Sequence, residues 1–108
     1  MTYLRDIARA IRGEIDVDRL PSGDTDLLFD LYAAVALIRG VDTTRRDVHD
    51  AWVAWMLAEG EQHPSMVPFE DLPPEVQAED EPFVRAIRTV ASRRGTRGWV
   101  SGPEPANN

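Results

Sequence analysis

Glycines at positions 13, 40, 60 and 95 cut the chain into stretches whose apolar residues recur every three or four positions. Helical periodicity bounded by residues that stop helices constrains the fold more than any other feature of the sequence. Leu4, Ile7, Ala8 and Ile11 predict a first helix over about residues 2–12, with Thr2 as its cap and Gly13 as its end. A second helix is expected from Thr25 to Arg39, with Asp24 as N-cap and Leu27, Leu28, Leu31, Ala34, Val35 and Ile38 as its core stripe. Its opposite face, with Phe29, Tyr32, Ala33, Ala36 and Leu37, is apolar too. A helix that is apolar on most sides belongs at the centre of a domain. Gly40 suits the residue after that helix, where no Cβ is wanted.

Thr44 and Asp47 form a capping-box pattern that opens a third helix, running to about Glu59 and stopped by Gly60. Val48, Ala51, Trp52 and Trp55 mark its core side, extended by Met56, with His49 beside them. A final helix is expected from an Asp80 cap to Arg94, with Pro82 in its first turn and Phe83, Val84, Ile87, Val90 and Ala91 facing inward. Between the third helix and the last, His63-Pro64, Val67-Pro68 and Leu72-Pro73-Pro74 each push the residue before proline out of helical geometry. This stretch also carries Met66, Val67, Phe69 and Leu72, so it must pack down rather than sit in water; a short helix over residues 73–78 follows it. The expected fold is therefore all-α. It is a four-helix compact domain over residues 1–95, with a packed proline-rich extended segment between helices 3 and 4. Residues 96–108, rich in Gly, Pro and polar side chains, read as a disordered tail.

A chain of 108 residues has room for one core. It has no cysteine, which removes disulfides, thiolate metal sites and thiol nucleophiles together. No apolar run approaches a membrane span and the acidic start is no signal peptide, so a cytoplasmic protein without membrane contact is expected. All 12 basic residues are arginine; GC-rich codons for arginine point to an actinobacterium or its phage. The net charge of −7 makes nucleic acid an unfavoured partner.

His49 and His63 are the strongest general-base candidates, yet neither has metal-ligand spacing, no serine sits in a nucleophile elbow, and no glycine-rich phosphate loop follows a strand. No enzyme activity, metal or cofactor is expected. Trp52, Trp55 and Phe69 with His49 could line an aromatic pocket for a flat ligand, or simply form core. Arg45 and Arg46, in the first turn of a helix, oppose its dipole. They would either grip an anion with the helix N–H groups or pair with Asp42 and Asp47. From Arg85 to Pro103 lie Arg85, Arg88, Arg93, Arg94 and Arg97 with no acid, followed closely by Trp99. That run is either an arm for phosphate or an acidic partner, or cations complementing a helix C-terminus before the tail.

One stretch carries a family likeness. Val48-His49-Asp50-Ala51-Trp52, then Gly60, then His63-Pro64-Ser65-Met66-Val67-Pro68-Phe69-Glu70-Asp71-Leu72-Pro73, then Asp80 and Val84, resembles the ryanodine-receptor repeat domain over about residues 48–92. The resemblance implies a mostly helical cytosolic module, found in animal calcium channels and as small bacterial and phage proteins with a suggested role in sensing nucleotide derivatives. It also implies a β-hairpin between the glycine and His-Pro, but only Glu61 and Gln62 stand there, so that hairpin and its ligand contacts do not carry over. Carried over by position, His49, Trp52, His63, Pro64, Pro68, Phe69 and Leu72 are fold determinants, with His49 and His63 polar enough to touch a ligand. A separate actinobacterial or phage family sharing only this segment is the alternative.

Three functional expectations follow. The first is a non-enzymatic interaction module that binds a protein partner or a second copy through the apolar helix over residues 25–39. The second is a sensor of a small nucleotide-like ligand, using His49, Trp55, His63, Phe69, Arg45 and Arg46. The third is weak nucleic-acid binding through Arg93, Arg94, Arg97 and Trp99.

Overall fold

A computed structural model describes residues 3–94. The described residues are all-α and contain no strand. The long helices are α1 (Tyr3–Gly13), α2 (Asp26–Arg39), α3 (Arg45–Ala58) and α5 (Glu81–Arg93), with a single-turn α4 (Pro74–Gln77) before the last. Short 3₁₀ turns occur at Val17–Arg19, Gly40–Asp42, Phe69–Asp71 and Ala78–Asp80. The expected disordered tail, with Arg97 and Trp99, lies outside the described residues.

Several helix ends have local causes; the expected Thr2 cap lies outside the described residues. At α3 the Thr44 side chain accepts the Asp47 N–H at 3.2 Å while the Asp47 carboxylate accepts the Thr44 N–H at 2.9 Å, the reciprocal bonding of a capping box. Burial opposes ionisation of Asp47, but the hydrogen bonds from Thr44 and Arg39 outweigh it and hold the carboxyl below its usual range. At α2 the cap is shifted by one residue from the expected place: Thr25 is the N-cap residue, and Asp24 serves by accepting the Asp26 N–H at 3.0 Å. Gly40, with φ of 57°, turns the chain after α2 in backbone geometry that a side chain disfavours.

The core gathers Ile7 and Ile11 of α1, Leu28, Phe29, Tyr32, Ala33 and Ala36 of α2, Val48 and Trp55 of α3, and Val84, Ile87 and Val90 of α5. α2 is central, packing on α1, α3 and α5. Its orientation corrects the expected stripe. Leu28, Phe29, Tyr32, Ala33 and Ala36 point inward, whereas Leu27 is 40% and Ile38 is 73% exposed. Both faces carry similar apolar content, so periodicity alone does not choose between them. The inward face is the one with aromatic rings, and Phe29 and Tyr32 meet edge to face at 5.4 Å.

Polar ties then fix the helices. Arg12 donates to the Thr25 hydroxyl and lies 4.8 Å over the Phe29 ring. Arg88 donates to the Thr43 carbonyl at 2.8 Å, joining α5 to the start of α3. No helix among the described residues is long and apolar enough to cross a membrane.

Candidate functional site

The proline-rich segment is held against α3 by one buried side chain. His49 is 3% exposed, and its Nε2 lies 2.7 Å from the Val67 carbonyl oxygen. A carbonyl only accepts, so Nε2 carries the proton. The His49 ring also stacks on Trp52 at 5.8 Å and meets Phe69 at 6.0 Å. His63 meets Trp52 edge-on at 5.3 Å, and its Nδ1 accepts the Ser65 N–H at 3.0 Å. Gln77 closes the far end, its amide donating to the carbonyls of Phe69 and Leu72 at 3.1 Å each. The segment is not uniformly extended, as it contains a turn at His63–Met66 and the 3₁₀ turn at Phe69–Asp71. Of its apolar residues only Leu72 is fully buried; Val67 is 37% exposed and contributes its carbonyl rather than its side chain.

This clamp forms one wall of a cavity of about 430 Å³. Tyr32 of α2, His49 and Trp52 of α3, His63 of the loop, Asp80 and Phe83 face it, and Asp18, Arg19 and Glu79 also line it. Burial pushes the Asp80 carboxyl from 3.8 up to about 6, with nearby His49 and Arg45 pulling down and Glu79 pushing up. Asp80 stands at the N-cap position of α5, but its side chain makes no capping hydrogen bond. Burial and the charge of Asp80 together raise the Tyr32 phenol far above its ordinary range, so Tyr32 is a neutral donor at any physiological pH.

The residues expected to share one ligand site separate into three places. His49 and His63 line the cavity. Trp55 does not: it is 7% exposed, belongs to the core, and its indole N–H has no hydrogen-bond partner. Trp52, expected to be core, is the partly buried tryptophan that lines the cavity instead. The two lie three residues apart on one helix face, and spacing does not reveal which one meets the solvent edge. Arg45, Arg46 and Phe69 line a separate open cleft beside the start of α3. Neither arginine pairs with Asp42 or Asp47. Arg45 donates to Glu81 at 2.8 Å, a bond that holds the Glu81 carboxyl below its usual range, and Arg46 pairs with Glu70. Arg39 is the residue that pairs with Asp47, at 2.9 Å.

Three arginines of the basic run on α5 make contacts within the molecule while staying at its surface. Arg93 pairs with Glu14 at 2.6 Å and Arg94 lies 5.9 Å over the Tyr3 ring, while Arg88 holds Thr43. Sequence reasoning missed Tyr32, Phe83, Asp18, Arg19, Glu79 and Asp80 as cavity residues. Asp80 carried a readable signal, since a cap position beside a proline-rich loop already marks it as conformationally placed. The others are assembled by long-range packing. No three His, Asp or Glu side chains among the described residues are grouped so as to hold a metal ion.

The chain is thus a small all-α domain organised around a clamped proline-rich loop. It belongs to the family described as a domain of unknown function (DUF7701), whose pattern matches residues 2–92. No curated protein and no solved structure matches it.

Proposed function

We propose that the protein is a non-enzymatic interaction module that binds a second copy of itself through the outward face of α2. One observation carries this reading. Leu27, Leu31, Ala34 and Ile38 follow one another at spacings of four, three and four; Leu27 and Ile38 are exposed at either end of this row, and Leu31 and Ala34 are half-buried between them, Leu31 resting partly on the core. That is the seam of a coiled coil, on a helix whose other side already meets α1, α3 and α5.

The seam suits its own inverse. Two copies packed antiparallel set Leu31 against the partner's Ala34 and Leu27 against the partner's Ile38. Each large residue then meets a smaller or complementary one, and the two helix dipoles oppose. Parallel packing would stack Ala34 on Ala34 and leave a gap. The arrangement is two-fold and closed. A single helix face gives an interface at the small, transient end of the range.

Sedimentation velocity over a concentration series tests the reading. We expect reversible dimerisation of the 12.1 kDa chain, abolished by Ile38→Lys with unchanged helical circular dichroism. A monomer at millimolar concentration would overturn it. So would a dimer indifferent to both Ile38→Lys and Leu27→Glu.

The arginine-only basic composition and the absence of cysteine support a cytoplasmic setting in an actinobacterium or its phage. The His-Trp and His-Pro pattern keeps the resemblance to ryanodine-receptor repeat domains as a proposal of kinship. A nucleotide-like ligand is the weaker reading: the cavity has three carboxylates against one arginine, and Arg45 and Arg46 already hold Glu81 and Glu70. Nucleic-acid binding through the C-terminal arginines is weaker still, because Arg93 is engaged with Glu14 and Arg94 with Tyr3.

A further inference from the structure

The cavity behind the proline-rich clamp is independent of the α2 seam, and its lining has a definite chemistry. Asp18, Glu79 and Asp80 outnumber the single cation Arg19, and the rings of Trp52, Tyr32 and Phe83 supply much of the remaining wall. The volume of about 430 Å³ falls within the range of small-ligand pockets. Two polar groups facing it make no hydrogen bond among the described residues. Tyr32 is only 2% exposed, lies within electrostatic reach of Asp80, and makes no hydrogen bond with a described residue. The half-buried Asp80 carboxylate likewise accepts none. A half-buried carboxylate without hydrogen-bond donors gains from a further cation even beside the charges of His49 and Arg45, and aromatic side chains beside it favour a weakly hydrated cation over a metal ion or a phosphate.

We propose that this cavity binds a small organic ammonium ion, with Asp80 as counter-charge, the Tyr32 hydroxyl beside it, Trp52 and Phe83 as the aromatic wall, and Asp18 and Glu79 adding negative charge to the lining. The burial that raises the Asp80 carboxyl toward 6, against the pull of His49 and Arg45, is the strain that an incoming cation relieves.

The test uses the full chain, with choline and benzyltrimethylammonium as probes and 3,3-dimethylbutanol as the neutral isostere of choline, at fixed ionic strength and pH 7.5. Binding is followed by the indole signals of Trp52 and Trp55 in two-dimensional NMR. We expect saturable shifts centred on Trp52, tenfold or greater preference for the ammonium over the neutral isostere, and at least tenfold weaker binding in Asp80→Asn. A trimethyllysine peptide distinguishes the source of the ammonium: tighter binding than choline assigns it to a partner's side chain, equal or weaker binding to a free metabolite, and either supports the cation site. Equal affinity for the isostere, unchanged affinity in Asp80→Asn, no saturation by any ammonium, or preference for a nucleotide would each overturn the proposal. The isostere comparison is made on the unaltered protein, so it decides the matter even if the variant fails to fold. Leu27→Glu should leave the binding untouched, which separates this site from self-association.

Discussion

Replacing His49 by leucine would unfasten the proline-rich segment while keeping side-chain bulk. The change deletes the 2.7 Å hydrogen bond from Nε2 to the Val67 carbonyl and leaves that acceptor without its partner. The loss of such a bond at a buried position costs about 1–3 kcal/mol. The ring contacts with Trp52 at 5.8 Å and Phe69 at 6.0 Å go as well, and ring pairs of this kind contribute about 0.5–1.5 kcal/mol each beyond area burial. Leucine recovers part of the apolar contact, so a net loss of about 2–3 kcal/mol is expected. For a domain of this size that lowers Tm by about 10–20 °C. The assay pairs thermal unfolding with amide hydrogen exchange. Exchange at Met66 and Leu72, whose N–H groups donate within the local turns at 3.0 and 3.1 Å, should accelerate more than exchange in α1. Val67→Ala is the contrasting change, because this position contributes its carbonyl and its side chain is 37% exposed; it should cost under about 0.5 kcal/mol. If His49→Leu lies within 0.5 kcal/mol of the unaltered protein, or if Val67→Ala costs more, the clamp as described is wrong.

Asp80→Asn should change the pH dependence of stability in one direction only. Because the native carboxyl titrates near 6 rather than 3.8, the folded state holds its proton more tightly, and stability is lost as pH rises from about 4 to 6 and stays lost above. The full difference would be about 3 kcal/mol. Solvent access to the half-buried group reduces it to about 1–1.5 kcal/mol, so the variant should unfold at higher urea at pH 8 and at the same urea at pH 4. Thr44→Ala removes one half of the capping box and should cost about 1 kcal/mol in urea unfolding, whereas Thr44→Asp should retain most of it. Phe29→Ala empties a site that is 2% exposed at the centre of α2 and should cost about 3–5 kcal/mol, enough to leave the chain largely unfolded at 37 °C by circular dichroism.

The helices were legible because their ends are chemical. Thr44 with Asp47, Gly40 and Gly60 mark boundaries through hydrogen bonds and backbone geometry local to a few residues, and the structure puts the helix ends within two residues of the expected places. The packing of the loop was legible only in part: Leu72 is buried as its apolar character suggests, but Val67 is exposed and the segment is held by the His49 bond to its carbonyl, which apolar pattern does not show. What the sequence hid were choices between equivalents. Trp52 and Trp55 sit on one stripe, and only the position of the loop decides that Trp52 meets His63 while Trp55 enters the core. Arg45 and Arg46 lie among many acids, and their partners Glu81 and Glu70 come from segments that chain spacing does not connect to them. The cavity is the extreme case: Asp18, Tyr32, Trp52 and Asp80 come from four parts of the chain and converge only after the core forms.

The same ambiguity explains why α2 can carry two tasks. A helix that only needed a core would place charge on its outer face, as α1 does with Arg9 and Asp6. α2 instead leaves Leu27 40% and Ile38 73% exposed. Its inner face, centred on Phe29 and Tyr32, sets monomer stability; its outer face is then free to be spent on association. The two should be separable by mutation. Ile38→Lys should leave Tm of the dilute protein within about 2 °C of the unaltered chain, since exposed substitutions change stability by under about 0.5 kcal/mol, while removing concentration-dependent stabilisation. If Ile38→Lys instead destabilises the dilute protein by more than 1 kcal/mol, Ile38 belongs to the monomer's own packing, and the outward seam loses its claim to a second copy.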